Sequence, residues 1–231
     1  MRHSRIPILG AALVTAFVAT GCSDTASVDG MGAVAVTLQQ ASVQPAPGAA
    51  EFDVLLSPGD AAVKVSKTQV DSLFIWATRI GFLPVDTTDG SCDDEGDETP
   101  CPWIWLDLSE DLRIDLMALP AENDSAVVIA AGDVPVGDYR KVRLLVADAS
   151  IFFNEAISVG NHVFDADMEH PLDVPSGAQS GLKTDASFSV VADDLGEPTE
   201  VNVVFDPNLT FNNVAATGSG KIKITPVLKV R

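Results

Sequence analysis

Hydrophobic and polar positions alternate along much of this chain, and a period of two marks a strand with one face buried. The C-terminal stretch is the cleanest case: Ile222, Ile224, Leu228 and Val230 share one face, while Lys221, Lys223 and Lys229 share the other. This predicts a half-buried strand over 221–230, and Pro226, which has no N–H to give to a ladder, places it at a sheet edge. The same alternation predicts strands over 33–38, 103–108, 112–116 and 201–205. β-Branched and aromatic bias adds 70–82, 139–153 and 188–191. Asp124 to Ala131 reads either as a helical turn capped by Asp124 or Ser125, or as a short strand.

Turn formers separate these segments: Ser57-Pro58-Gly59-Asp60, Asp89-Gly90-Ser91, Pro135-Val136-Gly137-Asp138, Pro175-Ser176-Gly177 and Gly218-Ser219-Gly220. Each one-sided strand must bury its apolar face against another layer, so the pattern predicts sheets packed face to face, or a barrel. Gly137-Asp138-Tyr139 carries a further expectation. Glycine permits a positive backbone angle there, and Tyr139 can plug one end of the core while its hydroxyl bonds to backbone.

The N-terminus breaks the pattern. A basic tip with Arg2 and Arg5 precedes a thirteen-residue apolar run, Ile6 to Val18, and then Ala19-Thr20-Gly21 before Cys22. That order is the signature of an export signal. The run falls short of the roughly 20 residues that a membrane-crossing helix needs. Small residues before a cysteine suit a peptidase that cuts beside a diacylated thiol, so residues 1–21 read as a lipoprotein signal peptide and Cys22 as the lipidated mature N-terminus. The site resembles the bacterial lipobox, with Ala19 where that pattern prefers leucine. Ser23 rather than aspartate follows Cys22, which by the same resemblance favours the outer membrane. Two or three acyl chains of palmitate type hold a protein on a bilayer, at about 0.8 kcal/mol per buried methylene. Residues 22–32 are polar and turn-rich and read as a flexible tether, leaving 33–231 as one domain.

Charge narrows the partners. Without residues 1–21 the chain has 12 basic against 33 acidic residues, a formal charge of −21. Phosphate neutralisation needs basic clusters, so nucleic acid is excluded as a partner. A field of this sign also keeps the protein soluble and repels anionic surfaces.

Chemistry-bearing residues are few. Cys92 and Cys101 are an even pair in a polar loop of an exported chain, which predicts a disulfide. Around Cys92, the insertion loop 86–101 holds Asp86, Asp89, Asp93, Asp94 and Asp97, part of seven carboxylates within the thirteen residues Asp86 to Glu98. Calcium takes six to eight such oxygens, but the spacing is not that of an EF-hand loop. A solvated acidic insertion is therefore the first reading, and a calcium site the second. Trp103 and Trp105 flank Ile104 and share a face; exposed, they would stack on sugar rings, and buried, they belong to the core. Only His162 and His170 survive processing, and no serine sits in a nucleophile elbow, so no catalytic residue is assigned.

Leu112 to Leu119, Val134-Pro135-Val136-Gly137-Asp138-Tyr139-Arg140 running on to Leu144, and a tail together resemble the bacterial lipoprotein family catalogued as domain of unknown function 4382. The tail comprises Pro171 to Ser176, Gly181-Leu182-Lys183-Thr184, Val203 to Asp206 and Lys223 to Leu228. Val134 stands where the family has leucine, and Gln39-Gln40-Ala41-Ser42 replaces the aspartate-alanine-proline usual after the first strand. The resemblance implies a β-sandwich on an exported lipoprotein and brings no activity with it.

The expected molecule is thus an all-β, immunoglobulin/transthyretin-like sandwich, tethered by lipid to the cell envelope at the outer membrane or its periplasmic face. Its expected role is non-catalytic, as a binding or structural module. A calcium-dependent carbohydrate-binding or adhesion module is the alternative, and a hydrolase the remote one. Expected partners are the bilayer, a glycan or an envelope protein.

Overall fold

The computed structural model describes residues 30–42, 62–85, 103–108, 112–122, 124–174, 181–192, 196–212 and 214–231. The fold is mostly all-β and multi-sheet. Its strands are β1 (Met31–Gln40), β2 (Ala62–Lys64), β3 (Val70–Pro84), β4 (Ile104–Asp107), β5 (Arg113–Asp115), β6 (Val127–Pro135), β7 (Gly137–Phe153) and β8 (Ile157–Val159). There follow β9 (His162–Phe164), β10 (Glu169–Asp173), β11 (Leu182–Val190), β12 (Thr199–Phe205), β13 (Ala215–Thr217), β14 (Ile222–Lys223) and β15 (Leu228–Val230). A 3-10 turn at Lys67–Gln69 and a one-turn helix α1 (Pro207–Phe211) complete the described elements.

One sheet has the order β15-β12-β1-β6, with β1 parallel to β12. A nine-stranded sheet runs β2-β13-β14-β10-β7-β3-β4, with β11 also on β7 and β5 also on β3; β8 and β9 form a separate hairpin. The long antiparallel pair β3–β7 is its spine. Each of the two has enough length to pair with two short strands in succession on its far edge.

The alternation survives in these strands, but its phase slips. In β3 the residues that face the main core include Leu73, Ile75 and Ala77, then Ile80 and Phe82; in β7 they include Val142, Leu144 and Val146, then Ala149, Ile151 and Phe153. The register shifts at Trp76/Ala77 and Ala77/Arg79 take up the extra residues, so that a β-bulge keeps both halves of each strand facing inward. Val34, Val36 and Leu38 of β1 and Val201, Val203 and Phe205 of β12 pack into the same core as the β3 and β7 residues.

Several sequence expectations change. The predicted strand 221–230 is two strands in different sheets: β14 lies between β13 and β10, and β15 pairs with β12. Ile222, Ile224, Pro226 and Leu228 are buried throughout, so the alternation reads the burial correctly. It cannot show that the chain leaves one sheet at Ile224 and joins the other at Leu228, with Pro226 unable to donate in between. The ambiguous 124–131 segment is strand from Val127. Tyr139 behaves as expected: it is buried, and its hydroxyl donates to the Pro135 carbonyl at 2.6 Å, while Gly137 takes a φ of +151°.

The expectation of a disulfide is corrected as far as the described residues reach. Among the described residues there is no disulfide, so the described core is held by packing and hydrogen bonds, and Cys92 and Cys101 lie outside them. Among the same residues no helix is long and apolar enough to cross a membrane.

Candidate functional site

The inward-facing residues of β3 leave their neighbours on the opposite, outward face of the nine-stranded sheet: Phe74, Trp76, Arg79, Gly81 and Leu83. Beside Gly81 in the ladder stand Trp105 of β4 and Arg143 of β7. A Cβ on Gly81 would lie 2.7 Å from Trp105 and 3.1 Å from Trp103, so the missing side chain is what lets both indoles lie flat on the sheet. Leu83, Trp103 and the half-buried Trp105 form a cluster of their own, apart from the main core. Ile104 and Leu106, on the other face of β4, pack against the main core instead.

Guanidinium groups cap this row of rings. Arg143 lies 4.6 Å from the Trp103 ring centroid and Arg79 5.1 Å from that of Trp105. Further along the face, Arg113 of β5 lies 3.6 Å from Phe74 and 4.8 Å from Trp76, and Phe74 meets Phe152 edge-on at 5.8 Å. Each such contact contributes about 0.5–1 kcal/mol where water reaches it. Carboxylates close the row: Asp107 forms an ion pair with Arg79 at 2.7 Å, Glu169 accepts from Arg113 at 3.1 Å, and Asp185 pairs with Lys141 at 3.8 Å. Five of the 12 cations beyond residue 21 (Arg79, Arg113, Lys141, Arg143 and Lys183) are on these outward positions, so this face departs from the strongly acidic average of the chain.

Of the residues singled out in the sequence, Trp103 and Trp105 are brought together, with ring centroids 5.9 Å apart, and Trp103 is only 9% exposed. Cys22, Cys92, Cys101, Asp86, Asp89, Asp93, Asp94 and Asp97 lie outside the described residues. Among the described residues no group of three or more His, Cys, Asp and Glu is placed to hold a metal. His162 packs against Phe164 at 4.5 Å, and His170 against both Phe164 at 5.4 Å and Phe153 at 5.5 Å; His170 Nε2 is 2.8 Å from the Asp165 carbonyl. These contacts make the histidines parts of the packing.

Sequence reasoning missed Phe74, Arg79, Arg113 and Arg143 as members of this face. Period-two spacing relates Phe74 to Trp76, but the pairing of Arg113 and Arg143 to it is non-local. Against known proteins, a family model described as "Domain of unknown function (DUF4382)" matches residues 15–226. No curated protein and no solved structure matches.

Proposed function

The chain belongs to the DUF4382 family, and from that premise we propose that it is a lipid-anchored protein of the bacterial envelope whose β-rich domain is a non-catalytic binding module. The two sheets that share one core are read as a sandwich of immunoglobulin/transthyretin type. Acylated Cys22 tethers it, at the outer membrane or its periplasmic face, as the basic, apolar and small-residue order before Cys22 supports.

The observation that carries the binding role is the outward aromatic row with its guanidinium caps, Phe74, Trp76 and Trp105 with Arg79 and Arg113. Indole and phenyl faces offer flat apolar area to the C–H face of a sugar ring, and arginine forks beside them offer hydrogen bonds to its hydroxyls or to a carboxylate. A glycan is the ligand class that uses both. Trp105 is the accessible member of its pair, and Trp103 buttresses it.

Isothermal titration of the full domain against a panel of neutral and uronate-containing glycans tests this. Binding heat that is lost in Trp105→Ala or Trp76→Ala is the expected result. No heat with any glycan, together with recovery of one stoichiometric neighbour in a crosslinked pull-down, would replace the glycan reading with that of a structural envelope protein.

A further inference from the structure

Three strand ends and the entry of the chain meet at one tip of the domain. The Val136 N–H, in the β6–β7 turn, donates to the Gly30 carbonyl at 2.7 Å, and Met31 is in register with Pro135. Val85, just past the end of β3, donates its N–H to Asp138 at 2.8 Å. Val190, at the end of β11, pairs with Gly137, and Val191 then lies against Gly32. This tip presents three apolar side chains to solvent: Val85 is 48%, Val136 36% and Val191 59% exposed.

The tip is also where the tether arrives. From Cys22 to Gly30 the chain has eight residues, which span at most about 28 Å fully extended and about 15–17 Å as a flexible coil. Acyl chains on Cys22 therefore hold this end within a coil length of the lipid headgroups. Asp133 and Asp138 flank the valines and are exposed, so an anionic surface is disfavoured and a zwitterionic one fits.

We infer that the tip formed by Val85, Val136 and Val191 seats on the zwitterionic phospholipid surface to which the chain is anchored, so that the domain stands upright on it. The inference rests on lipidation of Cys22, as proposed above. It fixes the orientation: the β3–β7 spine rises from the lipid and presents the Trp76–Arg113 half of the aromatic face away from it.

Tryptophans at two heights make this measurable. Trp103 packs on Leu83 and precedes Ile104, the partner of Phe82, so it lies about 7 Å up the strand from Val85, whereas Trp76 is nine residues away, about 30 Å. The acylated full-length protein is reconstituted in phosphatidylcholine vesicles with or without a nitroxide spin label on the lipid headgroup. Two variants are compared, W76F/W105F, which keeps Trp103, and W103F/W105F, which keeps Trp76. The expected result is that both co-float with the vesicles, and that the nitroxide quenches Trp103 several-fold more than Trp76. Adding V136D and V191D, or anionic phosphatidylglycerol, should remove that difference while flotation persists.

Equal quenching of the two tryptophans with flotation intact would overturn the seat and leave the anchor standing. Loss of flotation would overturn the anchor, and the seat with it. Photo-crosslinking of the wild type to a phospholipid carrying a diazirine near its headgroup gives a check free of tryptophan substitutions. Labelled peptides should contain Val85, Val136 or Val191, and labels confined to other surfaces would refute the inference.

Discussion

Asp206 is the residue whose removal tests how the two C-terminal strands close the fold. It follows β12, and its Oδ1 accepts the Leu209 N–H at 3.0 Å as the cap of α1, while its Oδ2 takes the Lys229 ammonium of β15 at 2.7 Å. Its side chain is 11% exposed, that of Lys229 45%. Replacing Asp206 with alanine removes a cap contribution of about 1 kcal/mol and an ion pair which, with one end in water, contributes about 0.5–1 kcal/mol. For a domain of this size each kcal/mol is worth roughly 2–4 °C, so D206A should melt about 3–8 °C below wild type. D206N keeps an oxygen for the cap and should lose only the ion-pair part, as should K229M.

The acid dependence follows from the carboxyl's pKa. Burial alone would raise it, but the hydrogen bond from Lys229, the N–H groups of Leu209 and Asn208 and the Lys229 charge together hold it below the ordinary aspartate value. A depressed folded value means that the stabilisation is fully present above the unfolded value, near 3.9. It is lost as pH falls through the still lower folded value. Thermal melts of wild type, D206A, D206N and K229M between neutral pH and pH 3 or so provide the assay. Two outcomes would refute the reasoning: D206A melting together with D206N, which denies the cap, or a wild-type advantage over D206N that stays constant down the whole acid range.

Four further outcomes can be measured. Tyr139→Phe keeps the ring stacked on Phe188 at 5.2 Å but strands the Pro135 carbonyl, and should cost about 1–2 kcal/mol in urea denaturation. Because burial pushes the Tyr139 hydroxyl's pKa up, wild-type stability is fully present below pH 10 or so and is lost as pH climbs from there through the folded value, a fall that Y139F should lack. Gly81→Val drives a side chain into Trp105 and Trp103, and should lift the indoles off the sheet at a cost of about 1–3 kcal/mol, with tryptophan emission moving to longer wavelength. For the acidic insertion, melting midpoints with calcium and with chelator should coincide if it is only a charged loop; a rise with calcium would assign ligands among its aspartates.

Much of this protein is legible without coordinates. Alternation determined that it is built of strands and which side chains face inward, because the pleat gives every second residue the same environment; Ile222, Ile224 and Leu228 are buried as their spacing predicts. The Gly137-Asp138-Tyr139 turn was equally local, and its hydroxyl bond reaches only four residues back. Which strands become neighbours was not local. Parallel pairing of β1 with β12 joins residues about 165 positions apart, and the split of 221–230 between two sheets depends on which edges remain open once β10 and β12 are in place. The bulges that shift the phase of β3 and β7 likewise exist only because the two strands meet. The aromatic face and the valine tip share that origin: Gly81, Trp105 and Arg143, like Gly30, Val85, Val136 and Val191, are separated in the chain and meet only through sheet register, which tertiary packing decides.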